Sequence, residues 1–474
     1  MKSVLRLAIL FAAFAFGTHA IAAELSFKPL KAGGIYTQGE EVGWTVTPAK
    51  GVTPAEKYDY VIKTNQWDTV ASGSFDLSSG SADIKLTLDH PAMVYVTVDR
   101  ATPPKPGKEE LAKINDGLKT LLVKNDASLK PVFEKYPGFC ISAALCPPPD
   151  SAAADETHLA VLGAAVDPAK LEPVVDRPAD FDAFWAGKLA ALRKVPMNPV
   201  LTRQPTKQKG VKLYRFTLDS LDSKVQGYVA LPEGKGPFPE LIIYQWAGVY
   251  PLDPSWATNR AAEGWLVVNV DSHDMPPDQA TAPQNYYELG NTSRETSYFL
   301  DMYLRDTRAL DWGRTLAHWD RKTVAIMGTS MGGQQSLVTA GINPGKINAV
   351  IVNEPAGADA DAELHGRKGG YPFWNVSDPK VAETGLYFDT VNFASRIDAP
   401  TLLAVGFIDR TCTPAGIWTA FNQIPGPKEI VPMVESDHNH ITPEKQGAFL
   451  QRSEEVLATL RSGRPFVPNE GTWK

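Results

Sequence analysis

The sequence predicts a doubly wound α/β domain with a mostly parallel sheet, preceded by an all-β sandwich of immunoglobulin-like type. Three observations predict it. From about Pro173 onward, short apolar runs without clean alternation are separated by helical patterns, the texture of strands covered on both faces. Within that region a Gly-x-Ser-x-Gly turn stands between a strand and a helix. Before it, from Glu24 to about Asp99, short alternating strands are separated by turn clusters.

A chain of 474 residues exceeds one typical domain and suits about two or three. With 43% hydrophobic and 21% charged residues it can bury a substantial core, which excludes a disordered or coiled-coil chain. Its 47 basic and 54 acidic residues leave a net charge of −7, which argues against nucleic acid as a partner.

Residues 1–22 read as a signal peptide. Lys2 and Arg6 supply a positive start, and Leu7 to Phe16 is an apolar run too short to span a bilayer of ~30 Å. Ala20-Ile21-Ala22 then supplies a small-x-small cleavage pattern, with Ala23 as a rival site and an uncleaved anchor or buried helix as the alternative. The expected destination is outside the cytoplasm, periplasmic or extracellular, with no membrane insertion after cleavage. Cysteine usage fits export: Cys140 and Cys146, in a Pro-rich stretch, are spaced to close a small disulfide loop, whereas Cys412 stands alone. A lone thiol is more often buried and inert than nucleophilic.

Residues 23–172 form the expected N-terminal unit. Val42, Trp44 and Val46 alternate, and the runs Asp59–Ile62 and Met93–Val98 are rich in β-branched and aromatic residues. A helical and irregular segment, about 101–157, interrupts it. Leu111, Ile114, Leu118, Leu121 and Leu122 fall at helical spacing there, before Leu159–Val166 returns as a strand. That segment reads equally well as an insertion or as an independent linker.

Residues 173–474 form the expected catalytic domain. Its strand candidates are Leu241–Tyr244, Trp265–Val270, Val324–Met327, Ala349–Val352 and Thr401–Val405, with helical patterns at Tyr298–Leu316 and Met331–Thr339. Gly328-Thr329-Ser330-Met331-Gly332-Gly333 follows the third of these strands and opens a helix. That context exposes Ser330 Oγ on a strained turn and places the Met331 N–H at a helix N-terminus, where an oxyanion can be bound.

A serine hydroxyl needs a base, and the base needs an orienting acid. Asp409 lies at the end of the strand Thr401–Val405, and His438 follows the strand candidate Glu429–Val434, giving the order Ser, Asp, His. His440 is a rival base, and Asp437 reads as a loop charge. A metal site from Asp437, His438 and His440 lacks the spacing of zinc hydrolases, so no metal and no cofactor is expected. The second oxyanion donor should come from Gln245–Val249, through the N–H of Gly248 or of Ala247. His273 and Trp246 are candidates for the substrate pocket, each with a structural alternative as a loop histidine or a core tryptophan.

The C-terminal part resembles the acetylxylan esterase / cephalosporin-C deacetylase family of α/β-hydrolases. Arg177–Trp185 is similar to that family's entry segment with its D-F-D-x-F-W core, and Tyr298–Asp311 to its helix before the elbow. Gly328–Gly333 matches its G-x-S-x-G-G turn, and Asp409–Pro414 its D-x-x-C-x-P acid loop. The resemblance favours His438 as the base and implies an N-terminal β-sandwich in secreted members. Departures fall on three loops: Val270–Asp274 replaces R-G-Q, Asn439 replaces the Glu after the histidine, and Trp246–Tyr250 replaces the H-G-Y-x-G loop. They leave the triad positions filled and the substrate open.

The expected activity is therefore that of a serine carboxylesterase removing acetyl groups from acetylated carbohydrate, xylan or xylo-oligosaccharides, through an acetyl-enzyme. An α/β-hydrolase peptidase or an esterase on another substrate keeps the same residues. A catalytically silent carbohydrate-binding or scaffold protein is the reading from a different class.

Overall fold

The computed structural model describes residues 24–101 and 158–471. The signal-peptide reading at 1–22, the helical pattern around Leu111–Leu122 and the Cys140–Cys146 pairing lie outside the described residues.

Residues 24–101 with 158–171 build two sheets over one core. Strands β1 (Leu25–Pro29), β3 (Glu41–Pro48) and β6 (Ala82–Thr87) form an antiparallel three-stranded sheet. Strands β2 (Ile35–Tyr36), β4 (Tyr58–Thr64), β5 (Asp68–Phe75), β7 (Ala92–Arg100) and β8 (Ala160–Val166) form a five-stranded sheet in the order β2-β8-β7-β4-β5. Alternate residues face inward. Val42, Trp44, Val46 and Ile84 of one sheet share a buried cluster with Tyr58, Ile62, Val94, Val96 and Val98 of the other.

The rest of the chain is organised by a nine-stranded sheet in the order β17-β16-β15-β14-β12-β13-β11-β10-β9. Strands β12 (Phe238–Tyr244), β13 (Leu266–Val270), β14 (Trp319–Thr329), β15 (Ala349–Asn353), β16 (Thr401–Gly406) and β17 (Lys428–Met433) run parallel. The strands β9 (Val200–Gln204), β10 (Val211–Asp219) and β11 (Lys224–Pro232) add an antiparallel edge that the sequence reading did not anticipate.

The parallel strands are buried on both faces, as their unbroken apolar runs require. Ile242, Val268, Ile326, Val350 and Leu403 enter one cluster, while their neighbours Leu241, Val267, Ala325, Ile351 and Leu402 enter another. Helices α1 (Phe181–Lys194), α3 (Tyr298–Gly313), α4 (Met331–Ile342) and α7 (Pro414–Gln423) cover the first face. Helices α2 (Ser255–Ala262) and α8 (Pro443–Arg461) cover the second. Two short helices, α5 (Pro379–Gly385) and α6 (Thr390–Ala394), follow β15, each capped by an aspartate accepting a main-chain N–H. The loops leaving β12, β14, β15, β16 and β17 all open at the carboxyl edge of the sheet, where open α/β sheets bind their ligands.

Candidate active site

Ser330 sits between β14 and α4 with φ 57° and ψ −122°, a conformation costly for a residue with a Cβ. The turn is tight enough to need its glycines. A Cβ on Gly328 would lie 2.3 Å from the Gly332 carbonyl, and one on Gly332 would lie 2.5 Å from the Tyr244 carbonyl oxygen. The strain lifts Ser330 Oγ off the sheet edge.

His438, just beyond β17, receives it: Ser330 Oγ is 3.0 Å from His438 Nε2. Asp409, just beyond β16, lies 2.7 Å from the other ring nitrogen, Nδ1. The carboxylate fixes the tautomer, because it accepts the Nδ1 proton and leaves Nε2 free to accept from serine. The second Asp409 oxygen accepts the main-chain N–H groups of Thr411 and Cys412, both at 2.8 Å. Burial by itself would lower the His438 pKa, yet the net displacement is upward. The adjacent Cys412 thiol is itself held protonated by burial, so the lift comes from Asp409.

The other candidates fall as follows. His440 is exposed and paired with Asp437 at 2.8 Å, and Lys445 shares the same carboxylate, so neither residue meets Ser330. Cys412 is buried and free, its sulfur 3.8 Å from Ser330 Oγ. The ligating atoms of Asp409, Cys412 and His438 lie within 4.8 Å of one another, but the Asp409–His438 contact already uses two of them.

Met331 heads α4 with its N–H free of any acceptor among the described residues, as a first helical residue must be. The Gly248 N–H does not join it. That group donates to Tyr286 Oη at 3.1 Å, and Gly248 has φ +113°. The neighbouring Ala247 N–H meets no acceptor among the described residues.

His273 was expected at the pocket but has no exposed surface. It is a strut beneath this loop instead, its Nε2 3.1 Å from Gly248 O and its Nδ1 2.9 Å from Tyr298 Oη. A carbonyl only accepts, so Nε2 carries the proton and Nδ1 accepts from tyrosine. Burial pulls this imidazole down to about 4, which keeps it neutral and in that tautomer.

Trp246 is 40% exposed and packs on Trp256 and Tyr250, with ring centroids 4.4 and 5.8 Å apart. The sequence reading missed Tyr286 and Tyr371, whose hydroxyls meet at 2.6 Å against the Met331 sulfur. Tyr371 lies in a loop and Tyr286 opens a short 3-10 helix (Tyr286–Glu288), and isolated tyrosines in such places carry no spacing signal. It also missed Gln66, at the β4–β5 turn, whose Nε2 donates to the Asp409 carbonyl at 2.7 Å.

A serine raised on a strand–helix turn, with histidine and aspartate supplied by later loops of one mostly parallel sheet, defines an α/β-hydrolase. More narrowly, the chain belongs to the acetyl xylan esterase (AXE1) family, whose signature matches residues 169–359 and 374–453. It is similar to acetyl esterase Axe7A of Xylanibacter ruminicola, 30% identical over an alignment 289 positions long that covers 55% of this chain and 64% of that protein. The match thus spans just under two thirds of that relative's length. The fold is similar to an acetyl xylan esterase from Paenibacillus sp. R4, at 25% identity and a TM-score of 0.54 over 61% of this chain and 98% of that one. Acetyl xylan esterase 1 from Thermoanaerobacterium sp. JW/SL YS485 shares it too, at 20% identity and a TM-score of 0.54 over 62% of this chain and 97% of that one.

Proposed function

We propose that the chain is an exported serine carboxylesterase that removes acetyl groups from acetylated xylan or xylo-oligosaccharides. The observation that carries the reading is the unbroken hydrogen-bond relay from Ser330 Oγ through His438 to Asp409. It stands in a chain of the acetyl xylan esterase family.

Ser330 Oγ attacks the acetyl carbonyl carbon as His438 Nε2 takes its proton, and Asp409 holds the resulting imidazolium. The negative oxygen is met by the N–H groups of Met331 and, in place of the expected Gly248, Ala247. Collapse expels the sugar oxygen, which takes the proton from His438. Water then attacks the acetyl-enzyme, giving a proton to His438 Nε2, which returns it to Ser330 Oγ as the acyl bond breaks and acetate leaves. Each step moves one proton through a single nitrogen, and the residues present complete the cycle with water as the only co-reactant.

Residues 1–22 act as the export signal in this reading. The two N-terminal sheets are an immunoglobulin-like sandwich within 23–172, ahead of the catalytic domain at 173–474. The exposed Trp246 face offers a sugar ring a stacking surface beside the oxyanion loop.

The test is acetate release from acetylated xylo-oligosaccharides by the mature protein and by Ser330→Ala. Release that collapses in the variant supports the reading. Cleavage of aryl acetates through Ser330 with silence on the sugars overturns the substrate, and silence on both overturns the enzyme.

A further inference from the structure

Glu354 follows β15 directly, with φ +43° and no exposed surface. Carboxyls in so buried a place are rarely left without a task. Its main-chain N–H bonds to Ala404 O, and the left-handed turn aims the side chain across the end of β16. There it passes Gly406, where a Cβ would come within 2.3 Å of Glu354 Oε1. Oε1 accepts the Ser436 hydroxyl at 2.6 Å, and Oε2 accepts Gln446 Nε2 at 2.9 Å. The Gln446 amide is itself oriented, because its oxygen accepts Asn353 Nδ2 at 3.0 Å. So held, Glu354 Oε2 lies 3.8 Å from His438 Nδ1, the nitrogen that Asp409 grips at 2.7 Å.

The geometry points to Glu354 as a second carboxyl partner of His438, a positioning residue that keeps the imidazole against Asp409 and adds negative charge when the ring is protonated during turnover. This rests on the Ser330–His438–Asp409 reading above. No hydrogen bond joins the Glu354 side chain to Ser330 among the described residues, so it acts through the histidine.

The titratable groups that bear on it come from two loops: Asp409 beyond β16, and Asp437 and His438 beyond β17; α8 and β15 present the neutral amides of Gln446 and Asn353. Burial and then Asp409 push the Glu354 carboxyl up to about 7, while the charge of His438 pulls it back. When protonated, the proton belongs on Oε1, donated to Ser436 Oγ, because Oε2 faces an amide that can only donate. Ser436 Oγ lies 3.1 Å from Gln446 Nε2. Either protonation state therefore keeps both hydrogen bonds of the Glu354 carboxyl itself, and a change of charge reaches His438 through the same contacts.

A tether between α8 and the sheet is the purely structural role, and Glu354→Gln separates the two, because a glutamine oxygen still accepts from Gln446 Nε2 while its amide nitrogen donates to Ser436 Oγ, and the charge is lost. The readout is hydrolysis of an aryl acetate from pH 5 to 9, with thermal melts alongside. The expected result is a kcat about tenfold below native at pH 8, converging with native near pH 5.5, with KM unmoved. The limb of the native profile near pH 7 should flatten.

Should Glu354→Gln fail to fold, Ser436→Ala serves. It removes a donor that favours the ionised carboxyl, so the limb should move to higher pH. Native kcat and a native profile in a folded Glu354→Gln, or an unmoved limb in Ser436→Ala, overturn the inference while leaving the triad reading in place. A native protein that cleaves no aryl acetate through Ser330 overturns both.

Discussion

Gln66, at the tip of an N-terminal hairpin, donates its side-chain amide to the main-chain carbonyl of Asp409 across 2.7 Å of buried space. The residues are distant in sequence and lie in loops of different sheets, Gln66 between β4 and β5 and Asp409 beyond β16. The loop that presents the acid to His438 is thus held from outside the hydrolase sheet, with Lys368 N bonding Asn65 O beside it at 3.1 Å.

Gln66→Ala leaves the Asp409 carbonyl without that partner, which costs about 1–3 kcal/mol in stability. The aspartate then wanders relative to His438. We expect kcat on aryl acetates to fall severalfold with KM near native, read by steady-state kinetics beside a melting curve. Unchanged kcat and melting temperature would refute the role.

Asp409→Asn keeps the size of the side chain but loses the carboxylate that fixes the tautomer. A fall in kcat of ~10⁴ is expected. Retention of more than about a tenth of native activity would mean that another group orients His438.

His273 acts on the oxyanion loop from behind. His273→Phe removes the bond to Gly248 O and should lower kcat by about tenfold, less than the ~10²–10³ of deleting an oxyanion donor itself. Burial leaves this histidine neutral, so no step in the pH–rate profile above pH 5 should disappear with it.

Asp271 supplies a stability test. One oxygen accepts His273 N at 2.8 Å while the other has no partner among the described residues, and burial pushes the carboxyl up to about 8. The folded state holds that proton more tightly than the unfolded chain. Its contribution is therefore whole below the ordinary value near 4 and is lost as pH rises through about 8. Asp271→Asn should gain melting temperature on native progressively from pH 5 to pH 9. A constant difference would refute the assignment.

Trp246→Ala should raise KM for acetylated xylo-oligosaccharides severalfold and leave aryl acetates unaffected, as loss of one stacking face would. Equal losses on both substrates would place Trp246 in loop support instead.

The parallel strands and the Ser330 turn were legible because burial on both faces forces unbroken apolar runs and the turn forces glycines at Gly328 and Gly332. The edge strand β9 was not, since its residues are exposed or half-exposed and leave no alternation to read. Asp409 could be placed because it follows a strong strand, and His438 because it follows a strand candidate in the order serine, acid, histidine and the family resemblance favours it. Glu354 also follows a strand, and an acidic residue at that place was a usable signal. Gln66 gave none: its partner is a main-chain carbonyl, and no residue type marks a position whose task is to bond a distant backbone.

Ser330, Glu354, Asp409 and His438 stand just beyond β14, β15, β16 and β17, four strands in lateral succession. Their spacing is the register itself, with Thr329 beside Asn353, Asn353 beside Ala404, and Gly406 beside Met433. A slip of one residue in any pair would turn its side chains to the opposite face and part the relay. A covalent titrant of the serine therefore counts correctly threaded molecules, so a purified batch can be graded by its labelled fraction independently of how much protein its absorbance reports.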